Sequence, residues 1–276
     1  MAYSWERRHD DRNKDPGLVD AASPSGPRGF YRYRSMGERS LEFTRDIVVE
    51  SKLFFSIASD FNDPFDSIPF VRVTGTRPEV RKYFQDVARE FWEGASRQIR
   101  RAQVAELSRM TDEARTELMR QNVRSTFDKL GICCFADSVA QVLMWSHYAD
   151  NHKGVCLRFD AWHPWFQEGA PRQVLYRDER PALNVLVSKE LGFGDALATK
   201  AKFWEYEREW RFIQTGGRRA CAFPPEALEA IYLGCKASTA TERTVFEWIE
   251  QRGRPLEVFR ARVARDTFAL EFEKIA

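Results

Sequence analysis

The strongest constraint on this chain is the stretch KFWEYEREWRFI, residues 202–213. Glu205, Glu207, Glu209 and Arg211 occupy every second position, and Trp204, Tyr206, Arg208, Trp210 and Phe212 fill the places between. A strand sends alternate side chains to opposite faces. The alternation therefore predicts a strand with carboxylates and an arginine on one face and mostly aromatic groups on the other. Carboxylates at that spacing repel unless water, a metal or basic partners compensate them. Arg211, Lys200 and Lys202 can supply that compensation. Either the face is a solvent-facing ion-pair ladder, or it lines a cleft in which one carboxylate has a shifted pKa and a chemical use.

Around this stretch, strands and helices alternate without a regular βαβ rhythm. The fold class expected is α+β: mixed, mostly antiparallel twisted sheet around a cleft, with a helical insertion. Residues 1–29 are polar, charged and rich in Pro and Gly, and are expected to be disordered or loosely packed, with Trp5 the one residue arguing otherwise. Residues 30–276 are expected to form a single domain. A short helix is predicted over 39–49 and a strand over 53–56. From Pro78, apolar residues recur at helical steps through Val80, Phe84, Val87, Phe91, Ala95, Ile99 and Ala102. A second helix starts near Asp112, so the insertion at about 78–130 reads as a helical pair with a solvated, arginine-rich exterior. Further strands are expected at 132–135, 154–159, 173–176 and 230–234, with two more closing the chain. Helices are expected at 139–149, near 184–202, and after Thr239, which stands in capping-box spacing with Glu242.

The 276 residues carry 43 basic and 41 acidic side chains, a net charge of +2. That balance does not demand a nucleic-acid partner. Five scattered cysteines without a CxxC pair read as reduced thiols and a cytoplasmic location. The start, MAYSWERRHDD, lacks the apolar core of a signal peptide. No apolar run approaches the ~20 residues of a membrane helix, so no membrane partner is expected.

Three further clusters carry chemistry. In YRYR, Tyr31 and Tyr33 share one strand face and Arg32 and Arg34 the other. The arginine fork grips phosphate or carboxylate bidentately, but taken alone the pattern reads better as an edge strand with solvated arginines. In FNDPFD, Asn62, Asp63 and Asp66 can bind a hydroxyl or a hard cation, or simply tie the loop through side-chain to backbone bonds. The loop lacks the carboxylate density of a dedicated calcium site, and no metal is predicted. In MWSHYADNHKG, Met144, His147 and Tyr148 share one helical side and Trp145 flanks it. His147 and His152 are five apart and do not share a face, which removes the i, i+4 zinc pattern. A histidine on an aromatic platform suits a flat ring such as a base or nicotinamide.

These motifs resemble those of the bacterial domain-of-unknown-function 2971 family. The resemblance runs over about residues 30–235: YRYR, FSIASDFNDPFD, MWSHYADNHKGVCLRFD, the tyrosine of VLYRD, K-x-x-x-W-x-Y-E-x-E-W-R from Lys200 to Arg211, and IYLG. A more distant similarity of layout is to the ADP-ribosyltransferase superfamily, whose catalytic glutamate lies on a late strand in a Glu-x-Glu pair. That similarity implies a chemistry with NAD as co-substrate, in which the nicotinamide–ribose bond is broken and ADP-ribose passes to a macromolecular acceptor, in bacterial defence or stress. It implies Glu209 as the carboxylate that stabilises the oxocarbenium-like state, Glu207 as orienter, Arg32 on the phosphates, and Tyr148 or Trp145 against the nicotinamide. Lys200, Arg211 and His147 complete the expected site, with Ser56 the nearest candidate for the serine strand of the arginine-type layout. Two alternatives stand beside it. One is a metal-assisted phosphodiesterase or nuclease using Asp63, Asp66, Glu207, Glu209 and His147. The other is a non-catalytic domain that binds a nucleotide or a protein partner.

Overall fold

The computed structural model describes residues 26–186 and 196–276. Of the segment 1–29 expected to be loose, residues 1–25 fall outside the described residues and Gly29 already opens the first strand; of the helix expected near 184–202, residues 187–195 fall outside them, and its two ends are instead strands, Ala182–Asn184 and Thr199–Ala201. The fold is α+β, built on a mixed, mostly antiparallel eight-stranded sheet. In chain order the main elements are β1 (Gly29–Arg34), α1 (Glu38–Val48), β2 (Lys52–Phe55), β3 (Phe70–Arg72), α2 (Arg77–Phe91), α3 (Arg97–Arg109), α4 (Asp112–Phe127), β4 (Leu130–Ala136), α5 (Val142–Tyr148), β5 (Val155–Asp160) and α6 (Pro164–Glu168). There follow β6 (Arg172–Gln173), β7 (Leu175–Arg177), β8 (Ala182–Asn184), β9 (Thr199–Ala201), β10 (Glu209–Thr215), β11 (Arg219–Ala222), β12 (Leu228–Leu233), α7 (Thr239–Arg252), β13 (Glu257–Val263) and β14 (Leu270–Lys274).

The sheet order is β14-β13-β12-β5-β1-β4-β10-β6. Only β12 and β13 run parallel within it, as their connection through α7 allows. Strand β1 pairs with β5 along its whole length but meets β4 at the single pair Tyr31–Ala136. Strand β4 in turn pairs with the whole of β10. The sheet thus forks between β1 and β4. Arg32 Nη1 bridges the fork by donating to the Cys134 carbonyl at 2.8 Å.

Alternation sorts the two faces. Phe30, Phe135, Leu157, Phe159, Trp210, Phe212, Ile231 and Val258 pack on one side with Ile47 and Val48 of α1 and Val245 and Trp248 of α7. Tyr33, Ala136, Cys156 and Tyr232 pack on the other with Met144 and Trp145 of α5. Three two-stranded sheets, β2–β11, β3–β8 and β7–β9, lie outside the main one.

The insertion is three helices where two were expected. The first is well specified: Thr76 and Glu79 form a capping box, with Thr76 N–H donating to Glu79 Oε2 at 2.7 Å. Its buried stripe is Val80, Phe84 and Ala88. The chain then breaks around Gly94, and the stripe expected through Ile99 and Ala102 is lost. Ile99 is exposed and Val104 is the buried residue of α3. Thr111 caps α4, with its hydroxyl accepting from Ala114 N–H.

The turn from α5 into β5 is unusual. Asp150, Asn151 and His152 all have positive φ, at 49°, 51° and 71°. His152 N–H donates to the Trp145 carbonyl, and Gly154 N–H to that of Ala149. A Cβ on Gly154 would lie 2.2 Å from the Arg34 carbonyl oxygen and 3.0 Å from that of Ala149. Gly154→Ala is therefore expected to destabilise the fold by about 3 kcal/mol, at the upper end of overpacking costs. A lowered urea midpoint at unchanged slope is the readout.

Candidate functional site

Glu207, Glu209 and Arg211 do not come from one strand. Residues 202–207 form a 3₁₀ turn, Arg208 takes the left-handed conformation (φ 47°, ψ 50°), and β10 begins only at Glu209. The strand alternation expected over 202–213 therefore holds only from Glu209 onward. Glu205 points outward and is exposed, while Glu207 is brought back to the Glu209 side by the turn.

The result is a buried ion network. Arg211 has no exposed surface, and Asp66, Lys200, Glu207 and Glu209 are all buried. Arg211 Nε donates to Glu209 Oε1 at 2.8 Å and Nη2 to Asp66 Oδ2 at 2.8 Å. Its Nη1 donates to Ser67 Oγ at 2.6 Å and to the Leu197 carbonyl. The guanidinium lies over the Phe61 ring at 5.4 Å. Lys200 Nζ sits among three carboxylates: Glu209 Oε2 at 3.0 Å, Asp66 Oδ2 at 3.4 Å and Glu207 Oε2. The ammonium thus occupies the centre of the carboxylate group, where a metal-assisted site would place its cation. Among the described residues, no group of three or more His, Cys, Asp or Glu side chains is arranged to hold a metal ion.

The charged members arrive on four segments, with Glu209 and Arg211 together on β10. Asp66 and Ser67 come from the FNDPFDS loop. Lys200 rides on β9, directly beside Tyr176 of β7 in parallel register. The Tyr176 hydroxyl oxygen accepts from Glu209 N–H at 2.8 Å. From the end of α5, the Tyr148 hydroxyl donates to Glu207 Oε1 at 2.7 Å.

Two cations face three carboxylates, and the surplus falls on Glu207. Burial raises its pKa, and the neighbouring Glu209 adds to this against the attraction of Lys200. Burial also presses Glu209 upward, but Arg211 and Lys200 outweigh it and hold its carboxyl well below the usual range. Lys200 is raised, because Glu209, Glu207 and Asp66 overcome the desolvation that would lower it. The Tyr148 hydroxyl is raised by burial and by Glu207.

The edge of the network is aromatic. Trp204 lies beneath Lys200 Nζ at 5.1 Å and donates from Nε1 to Asp63 Oδ2 at 2.8 Å. The exposed His147 ring sits 6.2 Å from Tyr206 and 6.4 Å from Trp204, and Phe203 beside them is 69% exposed.

Several expected site residues are not brought together. Arg32 and Arg34 lie on the opposite face of the sheet, because Arg32 reaches Cys133 Sγ and the Phe135 ring while Glu209 and Arg211 project from the other side. The sheet itself stands between the arginines and the acids, so they do not share the expected hollow. Trp145 is fully buried, donates to the Val139 carbonyl and packs edge-on to Tyr33; it is a core residue with no face for a ligand. Asn62 is exposed. Asp63 ties its own loop through Phe65 N–H as well as Trp204. Ser56 joins the structure through backbone bonds to Ile132. His147 contacts aromatic rings, and Tyr148 next to it makes the bond to Glu207. Sequence reasoning gave no role to Tyr176, Trp204 or Tyr206, although all three belong to the quoted motifs. Ser67, at φ 56°, carries no sequence signal.

Comparison with known proteins bears on the same segment. Residues 144–212 match the family Protein of unknown function (DUF2971). No curated protein and no solved structure matches the chain. The DUF2971 segment runs from α5 through Tyr176, Lys200 and Glu207 to Arg211. It therefore contains every charged member of the network except Asp66.

The two glutamates are expected to differ in sign. A carboxyl held low in the folded state stabilises above its ordinary pKa and loses that contribution as pH falls; a raised one opposes folding until it is protonated. At pH 7.5, Glu209→Gln is expected to cost about 3–5 kcal/mol by leaving buried cations unpaired. Glu207→Gln removes the surplus charge and is expected to be neutral or stabilising. Urea denaturation of both variants checks this, and equal losses would break the assignment.

Proposed function

We propose that this chain acts on NAD in the manner of an ADP-ribosyltransferase, breaking the nicotinamide–ribose bond and passing ADP-ribose to a macromolecular acceptor. The observation that carries the reading is Glu207: a carboxyl of raised pKa, held by the Tyr148 hydroxyl, beside the aromatic group of His147, Trp204 and Tyr206. A flat nicotinamide ring fits against that group. The Glu207 carboxylate stabilises positive charge growing on the ribose as the C–N bond breaks and nicotinamide leaves with the bond electrons. A carboxyl of raised pKa then takes the proton of the attacking acceptor. Glu209 is a positioning residue here, because Arg211 and Lys200 hold its carboxyl well below the usual range, which makes it a poor acceptor for a proton. This reverses the roles that the layout of the sequence implies for the pair.

One observation favours a second reading, a non-catalytic domain that binds a nucleotide or a partner. All four carboxylate oxygens of Glu207 and Glu209 have partners within the protein, as they would in a purely structural network.

Incubation with labelled NAD separates the two. Nicotinamide release and NAD binding are measured independently, for wild type and Glu207→Gln. The transferase reading expects release by wild type and a loss of about 10²-fold in Glu207→Gln, the scale for removing one transition-state electrostatic group, with NAD still bound. Binding without release selects the second reading. Neither binding nor release ends both as readings about NAD.

A further inference from the structure

The reverse face of β1 carries two half-buried cations with no counter-charge among the described residues. Arg32 and Arg34 project from the same side of the strand, roughly 7 Å apart along it at the usual strand rise. Among the described residues, no carboxylate lies within ion-pair distance of either. Arg32 Nη1 donates to Cys133 Sγ at 2.9 Å and to the Cys134 carbonyl at 2.8 Å, while its Nε is buried with no partner. Arg34 Nε reaches the Thr44 hydroxyl of α1 at 3.3 Å, and among the described residues its two terminal nitrogens have no hydrogen-bond partner. Burial and the neighbouring Arg32 press the Arg34 pKa down to about 10, which an anion placed between them would relieve.

The position is a built one. It is the fork where β1 parts from β4 after the Tyr31–Ala136 pair, flanked by α1 and floored by Cys133 and Phe135. Both arginines are only half-buried, so the fork opens to solvent. Buried charges are ordinarily paired, and the free donors here are arranged as guanidinium forks, which match tetrahedral oxyanions. We propose that this fork binds a phosphoryl oxyanion, held between Arg32 and Arg34. Free phosphate and the phosphate of a nucleotide share that chemistry. The site lies across the sheet from Glu207 and does not rest on the NAD reading; it stands if NAD neither binds nor reacts.

The test is thermal unfolding and calorimetry of the whole chain in inorganic phosphate, against chloride at matched ionic strength to remove general screening. Wild type is expected to gain about 2–4 °C at phosphate near ten times its Kd, and Arg34→Gln to lose that gain. Arg34→Lys keeps the charge but not the fork, and is expected to bind phosphate at least about tenfold more weakly; it decides the matter if Arg34→Gln does not fold. No gain over chloride in wild type, or unchanged affinity in a folded variant, overturns the proposal. Adenosine monophosphate in a parallel arm identifies the source: tighter binding than inorganic phosphate assigns a nucleotide, and equal binding assigns free phosphate.

Discussion

Arg211 is the group on which the rest of the arrangement turns. A guanidinium with no exposed surface cannot shed its charge, and removing an ion from water costs several kcal/mol even after relaxation. Five hydrogen bonds meet that cost, to Glu209 twice, Asp66, Ser67 and the Leu197 carbonyl. These partners come from three stretches of chain, Asp66 and Ser67 from one loop, Leu197 from the segment before β9 and Glu209 from β10 itself, so satisfying one side chain dictates where the FNDPFDS loop lies and how the chain before β9 approaches β10. Lys200 then becomes necessary, because Asp66 and Glu209 together would otherwise exceed the arginine's charge. Glu207 is the member added beyond balance, and it is also the one tied to the aromatic rim through Tyr148.

The sheet divides two chemistries. On one side lie carboxylates, tyrosines and an enclosed ammonium; on the other, arginines and thiols recessed among phenylalanines. Because side chains alternate along β1, that strand supplies Tyr31 and Tyr33 to the first side and Arg32 and Arg34 to the second. The fork at β1 and β4 gives the second side its room. Pairing along the full length of these strands would give the Cys134 carbonyl a ladder partner and leave no opening for Arg32.

How much of this could be read beforehand follows from the physics of each signal. The pairing of Glu209 with Arg211 on one face was legible, because period-2 alternation survives wherever a strand is real. The same pattern misled across residues 202–208, since nothing in an arginine marks position 208 for left-handed backbone. The common face of Arg32 and Arg34 was legible too. Its orientation was not, because both sides of this sheet are covered and β1 has no polar-out signature. Helical spacing places Trp145 beside Tyr148 and so among the expected ring contacts; its burial is set by Tyr33 and the Val139 carbonyl, which are distant contacts or loop geometry. The third helix of the insertion was hidden by a stripe that continued in sequence across a break at Gly94.

The left-handed run at Asp150, Asn151 and His152 bears on Tyr148. Positive φ at ordinary residues is a conformation the chain leaves unless surrounding bonds over-determine it, at a cost on the order of 1 kcal/mol or more apiece. Here the backbone of 151, 152 and 154 is laced back onto 145, 146 and 149, and the His152 ring stacks on Trp145. A short helix normally frays at its last residues, yet this one is clamped from behind. The phenol that meets Glu207 therefore behaves as part of a rigid bracket, and a ligand arriving there would find its hydroxyl already aimed.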